Sequence, residues 1–566
     1  MVNFHTKRIE DLLKAGIGLL VLLALNLSLS GHFFRVDLTE EGRYTISKPT
    51  VKMLGKLEEP VFVEVFLDGD LPAGFKRLQN SVKETLDEFE AYSGHKVQYR
   101  FTDPTKGRTP RSVNETQRKL TSLGVPSTRI HENKEGKKTT RVAFPGAVIN
   151  YKGQETGISL LKGSTSGSSQ ESLNQSIENV EYEIASAIQD LASGDKKRIA
   201  YLTGNGQPTG PETEGIRNLL QKNYSLSFVD PALEPLAGYD AIVMVKPDQA
   251  FSEKSLFNID QYIMRGGNAL FMLDKVSVNF DSVRQSKALV FPTELGIERL
   301  LFRYGVRLND DLAQDLTSLK TPVVVSEVSG KPQISLINWP FLPLVNRMPK
   351  HVVTRNLDGI ATKFAGTLDT VKTKGIWKTA LLSTSANARK LKAPIDVSME
   401  ALSRDYDPKK FTDGPLNLAY LLEGKFRSAF AGRFAPVGAD DRNRLDKSEG
   451  AKLIVVADGD IALNALEPRD KTPLDLGFDP YMKQTFANAD FIRNATAFLA
   501  DGNGLITARN KRVKIRPLDT VKVREQRTLW QTLNIGGPLL LLALFGTGAY
   551  LIRKKRFTGH SDSLEQ

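Results

Sequence analysis

The sequence predicts an α/β fold class, built as a two-span membrane protein with a large extracytoplasmic body, and three observations carry that prediction. Two apolar runs of twenty residues, Ala15 to Phe34 and Leu533 to Ile552, contain no Asp, Glu, Lys or Arg. From Lys196 onward, apolar strand-like runs alternate with amphipathic helical ones, and Val61 to Leu160 reads in the order β-α-β-α-β-β before a further helix. At 566 residues, 40% of them hydrophobic and 25% charged, the chain has room for about three domains. The absence of Cys excludes disulfide frameworks, thiol nucleophiles, CxxC redox pairs and thiolate metal sites.

Each apolar run, at about 1.5 Å per residue, reaches about 30 Å, the thickness of a bilayer's hydrocarbon core. The second is apolar all round, carries Gly536, Gly537, Gly546 and Gly548, and stops at Arg553 to Arg556, which marks a span rather than a core helix. The first follows Lys7, Arg8 and Lys14, and Ser28-Leu29-Ser30 has the small-residue spacing of a signal-peptidase site, so a cleaved signal sequence stands beside an uncleaved anchor. Continuation of the apolar run through His32-Phe33-Phe34 favours the anchor. Bare Lys/Arg counts beside the two spans slightly disfavour cytoplasmic termini. Charges in a long translocated body weigh little, however, and Arg553 to Arg556 abut their span, so both termini are placed inside and the body outside.

Val61 to Leu67 is a β-branched and aromatic strand, and Phe75, Leu78, Val82, Leu86 and Phe89 then fall at helical spacing. Lys96 to Phe101 makes the returning strand, Glu115 to Leu123 a helix ended by Gly124, and Arg141 to Leu160 two or three strands turning at Pro145-Gly146 and Lys152-Gly153. This order suits a thioredoxin-like unit lacking its cysteines. Lys162 to Ser172 is a Gly/Ser-rich linker, after which Leu173, Ile177, Val180, Ile184, Ile188 and Leu191 line one face of a helix with Ser172 as its N-cap and Gly194 as its stop.

"KKRIAYLTGNGQP" begins a second unit as a buried strand running into a glycine loop; "EGIRNLLQKN" is a helix, "YSLSFVD" and "YDAIVMVKP" are strands. Ser252 caps the next helix, and "NALFMLD" is again a buried strand. Such alternation implies a parallel sheet covered on both faces, of the flavodoxin or amidotransferase kind. The pattern becomes less regular from Lys275 to about Arg444, until Ala451 to Asn464 restores a strand of the same sheet; "ADFIRNATAFLADG" is a helix and "LITARNKRVKIRPL" an exposed basic strand or hairpin. The predicted organisation is therefore 1–14 cytoplasmic, 15–34 first span, 35–194 first α/β domain, 195–510 second α/β domain, 511–532 basic juxtamembrane segment, 533–552 second span and 553–566 cytoplasmic tail.

The loop Gly204-Asn205-Gly206-Gln207-Pro208-Thr209-Gly210 stands where a phosphate-binding fingerprint would lie, but its glycines fall as GxGxxxG and Pro208 removes an N–H. No GxxxxGK[ST] occurs, so the chain does not hydrolyse ATP by P-loop chemistry itself. Gly204, Asn205, Gly206 and Gln207 remain candidates for contact with another ligand or partner at the strand ends. Asp458-Gly459-Asp460 follows a buried strand and could begin a metal site, although Asp-Gly-Asp is more often a turn. No HExxH or EF-hand loop accompanies it, and Ser164 to Ser172 lacks the strand-to-helix elbow of a serine hydrolase. No metal, cofactor or catalytic residue is assigned. Arg509 to Arg527 carries eight Lys/Arg against Asp519 and Glu525; beside a span, and with no aromatic residue until Trp530, this points to anionic lipid headgroups rather than nucleic acid.

Several of these stretches together, "VDLTEEGRYTISKPT", "FLDGDLPAGFKRL", "LDEFEAYSG", "IENVEYEIASAIQDLASG", "KRIAYLTGNGQP", "FSEKSLFNIDQYIMRGGNALFMLD" and "LNIGGPLLLLALFG" with its basic tail, run through nearly the full chain. In that order they resemble the gliding-motility-associated ABC transporter auxiliary proteins of the GldG family of Bacteroidota-type bacteria. The resemblance implies a non-catalytic accessory or substrate-binding subunit of an inner-membrane ABC transporter, working with a separate permease and a separate ATPase, with its soluble body in the periplasm. It also implies a catalytically silent amidotransferase-like sheet, in keeping with the missing Cys. An enzyme acting on an envelope polymer or ester near Gly204 and Asp458 stands as the alternative. Small residues permit close helix packing in lipid, so Gly536, Gly537, Gly546 and Gly548 are candidate contacts with the permease.

Overall fold

An unbroken apolar run puts both faces of a strand to use, and the parallel strands of this protein follow from that rule. The computed structural model describes residues 13–14, 16–21, 23–24, 45–107, 109–134, 137–161, 169–194, 196–279, 282–283, 288–328, 331–399, 406–502, 504–510 and 525–558. Residues up to Arg512 form one unit, and Val513–Gln566 form another.

In the first half of the large unit, α1 (Lys48–Leu54) precedes β1 (Val61–Val65), α2 (Ala73–Tyr92) and β2 (Val97–Phe101). Leu78, Val82, Leu86 and Phe89 form the buried seam of α2, as the helical spacing predicts. After α3 (Pro110–Leu123) comes a hairpin, β3 (Thr128–Lys134) and β4 (Lys137–Ala143), then β5 (Gly146–Tyr151), β6 (Gln154–Ser159) and α4 (Ser169–Ser193). The sheet runs β2-β1-β5-β6, with β1 parallel to β2 and antiparallel to β5, and β5 antiparallel to β6. Ser172 lies inside α4 rather than at its cap. The helix starts earlier because its apolar face already opens at Leu173, which needs a preceding turn to be buried in the core.

The second half holds β7 (Arg198–Leu202), α5 (Glu214–Asn223), β8 (Ser225–Val229), β9 (Ala241–Val245), α6 (Glu253–Met264) and β10 (Asn268–Met272). There follow α7 (Glu298–Tyr304), a long hairpin β11 (Ser318–Val328) and β12 (Lys331–Val345), β13 (Ile376–Ser383), β14 (Asn417–Gly424), β15 (Ala451–Val456) and α8 (Asn488–Ala500). Seven strands form one sheet in the order β13-β14-β15-β10-β9-β7-β8. The five from β15 to β8 are parallel, and β14 and β13 extend the sheet antiparallel. Val243 and Val245 point to the face covered by α5 and α8, through Ile216, Leu220, Phe491 and Ile492. Ile242 and Met244 point to the other, covered by α6 and α7 through Leu256, Phe257, Leu300 and Leu301. The irregular stretch after Lys275 builds a separate small core on Trp339, Phe341 and Phe364, whose rings meet edge to face at 5.4 Å between Trp339 and Phe364.

Leu505–Asn510 corrects the reading of an exposed basic strand: it is a 3₁₀ turn with Leu505, Ile506 and Ala508 at 4%, 2% and 1% exposure. Leu505 enters the core of the first half and Ile506 that of the second. Burying those two apolar side chains outweighs the pull of the neighbouring basic residues toward solvent.

The C-terminal unit is α9 (Arg527–Thr558). Its stretch Arg527–Ile552 has mean hydropathy 1.8 with none of the apolar window buried, and it is the one helix among the described residues long and apolar enough to cross a membrane. Of the first apolar run, residues 16–21 and 23–24 are helical. The signal-peptidase spacing at Ser28 to Ser30, the linker centred on 162–168, the basic stretch 511–524 and the tail from 559 lie outside the described residues.

Candidate functional site at the strand ends

Parallel strands deliver all their C-terminal ends to one edge of a sheet, and a ligand crevice forms there where the strand order reverses. In this sheet the reversal lies between β7, which leads outward to β8, and β9, which leads the other way to β10 and β15. The residues that follow β7, β9, β10 and β15 at this edge are the glycine loop from Thr203, Lys246 to Gln249, Asp274-Lys275 and Ala457 to Asn464.

Gly204 and Gly206 adopt left-handed backbone, φ 92° and 70°. The carboxylates of Asp230 and Asp248 press against them so closely that a Cβ at either glycine would collide. The Asn205 carbonyl accepts from the N–H groups of Asp248 and Gln249, both at 3.2 Å. Asn205 Nδ2 donates to the Ala250 carbonyl at 3.2 Å, and its own N–H donates to Gln207 Oε1 at 2.7 Å. Asn205 and Gln207 are each 6% exposed, and Asn205 Oδ1 and Gln207 Nε2 have no hydrogen-bond partner. Two carboxylates against the loop make it hostile to phosphate, which reinforces the spacing argument against a nucleotide.

Four groups meet at the ends of β9, β10 and β15. Lys246, itself in left-handed backbone at φ 43°, places Nζ 3.2 Å from Asp274 Oδ2 and 2.5 Å from Asp460 Oδ2. Asp458, fully buried, accepts from the N–H of Lys363 at 2.9 Å and of Asp460 at 2.8 Å. Asp274 Oδ1 accepts from the Gly459 N–H at 2.6 Å. Burial pushes the Asp274 carboxyl up to about 6, with Lys246 pulling it down and Asp460 pushing it up. Burial, then the charges of Asp274 and Asp460, hold Asp458 well above the usual carboxylate range. Burial works against the Lys246 ammonium, yet Asp274 and Asp460 outweigh it and raise its pKa.

Asp274, Asp458 and Asp460 have oxygens within 4.8 Å of one another, the spacing a metal ion would need. The Lys246 ammonium stands against two of the three, where a cation would be drawn, and satisfies the charge from within the chain. This arrangement ties three strand ends together.

The structure thus joins Asp460 to Lys246, with Asp458 held beside them by the Asp460 N–H, and the Lys246 to Gln249 segment carries the connection on to the Asn205 loop. Gly536, Gly537, Gly546 and Gly548 belong to α9, and a Cβ at any of them would meet nothing within 4 Å. Lys246 and Asp274 are the residues the sequence reading passed over. Their signal was there: the runs "AIVMVK", "ALFMLD" and "LIVVADGD" each end a buried strand on a charged residue.

Comparison with known proteins gives two family matches. Residues 196–495 match a family described as an ABC-type uncharacterized transport system, and residues 40–150 match a domain of unknown function, DUF7088. A protein of Borreliella burgdorferi described as uncharacterized is 21% identical over 439 residues, covering 75% of this chain and 80% of its own. Among solved structures, the mmIFT52 N-terminal domain aligns with 54% of this chain and 98% of its own at 14% identity, with a TM-score of 0.29.

Proposed function

Since the chain belongs to the ABC-type uncharacterized transport system family, an accessory, transport-associated group, we propose that it is a non-catalytic subunit assembling with a separate permease and a separate ATPase. The observation that carries this reading is α9, whose apolar stretch Arg527–Ile552 is unburied along its length and presents Gly536, Gly537, Gly546 and Gly548 with open space around each. Small residues on a lipid-exposed helix let a second helix approach closely, and a permease is the partner such a family supplies.

Two spans, at 15–34 and 533–552, hold the body of residues 35–510 on the periplasmic side of the inner membrane, with both termini cytoplasmic and anionic headgroups beside the basic segment 511–532. Support for a paired anchor comes from the exits of the body. Ser47 N–H donates to Glu181 Oε1 at 2.7 Å and Thr50 Oγ1 donates to the same oxygen at 2.8 Å, while Arg509 donates to Asn179, two residues earlier on α4, at 3.0 Å. The chain therefore enters and leaves the body against the same stretch of α4. The β2-β1-β5-β6 order supports a thioredoxin-like reading of the first domain, 35–194, and the β8-β7-β9-β10-β15 order supports a flavodoxin- or amidotransferase-like reading of the second, 195–510. The transport served is of the kind that gliding-motility auxiliary proteins serve.

Solubilised from membranes, the tagged chain should co-elute with an ABC ATPase and a multispanning permease, and should alter ATP turnover even as Asn205→Ala or Asp458→Ala. If those two substitutions abolish a hydrolytic activity while assembly is intact, the envelope-enzyme alternative replaces this reading.

A further inference from the structure

At the edge of the seven-stranded sheet opposite the glycine loop, α7 runs out beside the start of β13. β13 is the last strand on its side of the sheet, and Ile376 and Trp377 pair with Gly424 and Glu423 at the end of β14. α7 stops at Gly305, in left-handed backbone at φ 108°, and the Gly305 carbonyl accepts from the Val371 N–H at 2.9 Å. The Lys378 ammonium donates to the Val371 carbonyl, and the Lys425 N–H donates to the Gly375 carbonyl at 3.1 Å. A Cβ at Gly305 would strike Thr373 and Lys378. The turn from Val371 to Gly375 is therefore pinned against the end of α7, and little order remains to be gained when its side chains meet a partner.

Trp377 is 79% exposed at this corner, and Phe302, in the last turn of α7, is 52% exposed. Arg303, Lys372 and Lys374 are exposed beside them. The acids nearby are accounted for: Glu449 pairs with Lys425 at 3.2 Å and Asp369 with Arg307 at 2.6 Å, while Glu423 is half-buried in the ladder between Trp377 and Lys452. Arg303, Lys372 and Lys374 form no ion pair among the described residues. A single exposed apolar side chain is ordinary. Two aromatic rings beside three unpaired cations, on backbone that is held from both sides, make a surface with apolar area to bury and an attraction for anions. A bilayer interface meets both needs, since Trp settles at headgroup depth and the long stems of Lys and Arg reach the phosphates.

We propose that this corner is a lipid contact, with Trp377 and Phe302 at the headgroup level of an anionic bilayer and Arg303, Lys372 and Lys374 against its phosphates. The proposal rests on the reading of α9 as a membrane span. Sixteen residues, 511–526, separate the body from α9, and a chain of that length reaches at most about 55 Å. The span therefore holds the body within reach of headgroups at high local concentration, where a contact too weak for a free protein becomes effectively intramolecular. Each cation brought to an anionic surface raises the ratio of bound to free body about fivefold.

Tryptophan quenching by lipids brominated on their acyl chains tests this on the full chain reconstituted in vesicles, with Trp530→Phe removing the tryptophan at the start of α9. Trp339 is fully buried, so the quenchable emission belongs to Trp377, and Trp377→Phe should abolish it. The expected result is strong quenching in vesicles of phosphatidylcholine with phosphatidylglycerol, and weak quenching in phosphatidylcholine alone or at high salt. Lys372→Gln together with Lys374→Gln, both at exposed positions, should lower the ratio of bound to free body about twentyfold and bring quenching down to that in phosphatidylcholine. Absence of Trp377 quenching, equal quenching in the two kinds of vesicle, or native quenching in the double variant would overturn the proposal. Shielding of Trp377 only when a permease is present would assign the corner to a protein instead. Flotation of the chain with the vesicles reads α9 separately: flotation without quenching overturns the lipid contact alone, and failure to float overturns the span and this proposal with it.

Discussion

Replacing Lys246 with Met keeps most of the side-chain volume and removes the cation that pairs with Asp274 and Asp460. In the native protein the Lys246 side chain is 20% exposed, Asp274 6% and Asp460 18%. Breaking a buried ion pair from one side costs about 3–5 kcal/mol, and partial exposure of two members puts this case at the lower end, about 3 kcal/mol. For a domain of this size, with about 2.1 cal/mol/K of unfolding entropy per residue, that corresponds to about 4–5 °C in Tm. The sign of the pH dependence follows from the carboxyls. Asp274 is raised to about 6, above its unfolded value of about 3.9, so its contribution to stability is fully present below about pH 4 and is lost as the pH rises through about 6. Lys246 pulls both Asp274 and Asp458 down, and without it they rise further, so the variant goes on losing stability above the pH at which the native loss is complete. The deficit of Lys246→Met should therefore be large at pH 8 and shrink toward pH 5, where protonated carboxyls no longer need an ammonium. Thermal unfolding of the detergent-solubilised full chain at the two pH values measures it, with amide exchange in β9, β10 and β15 locating it. An equal deficit at pH 5 and pH 8 would assign the effect to the packing of the lysine stem and refute the charge argument.

Three further outcomes follow from other parts of the fold. Asp260 is fully buried and accepts from Tyr304 Oη at 2.7 Å, Ser428 Oγ at 2.7 Å and the Ala429 N–H at 2.8 Å; Asp260→Ala strands these donors and should cost about 3–5 kcal/mol in chemical denaturation. Gly424 ends β14 at φ 142° with its missing Cβ directed into the Gly375 carbonyl oxygen, so Gly424→Ala should cost about 2–4 kcal/mol and speed amide exchange along β13. Trp339→Ala empties the small core beneath the β11–β12 hairpin and should cost about 3–5 kcal/mol there, leaving exchange in β1 and β2 unchanged.

The parallel strands were legible because strands covered on both faces are unbroken apolar runs: "IAYL", "AIVMV", "ALFM" and "LIVV" are β7, β9, β10 and β15. Helices α2, α5, α6 and α8 were legible from apolar residues three and four apart. The β3–β4 hairpin went unread as a hairpin because "TRIHENK" and "KKTTRVA" lack the alternation that marks a strand with one buried face. Leu505–Asn510 was misread for the opposite reason: its basic neighbours dominate the composition, while Leu505 and Ile506 turn to two different cores, a fact set by the tertiary structure alone. The Trp339 core was hidden by strands of two or three residues, such as Ile360–Ala361 and Ile395–Val397, too short to show any period. At the strand ends, Asp458 and Asp460 were visible as a pair in sequence. Their meeting with Lys246 and Asp274 depends on the strand order, which no local pattern encodes.

The absence of Cys from the chain makes any introduced thiol unique, and this opens the most direct test of the accessory-subunit reading. With Gly546→Cys in an otherwise native full chain in membranes, a thiol-reactive cross-linker should join α9 to a multispanning permease, and the captured complex should contain an ABC ATPase. Cross-linking to lipid or to a second copy alone, with no permease and no ATPase recovered, would contradict the account.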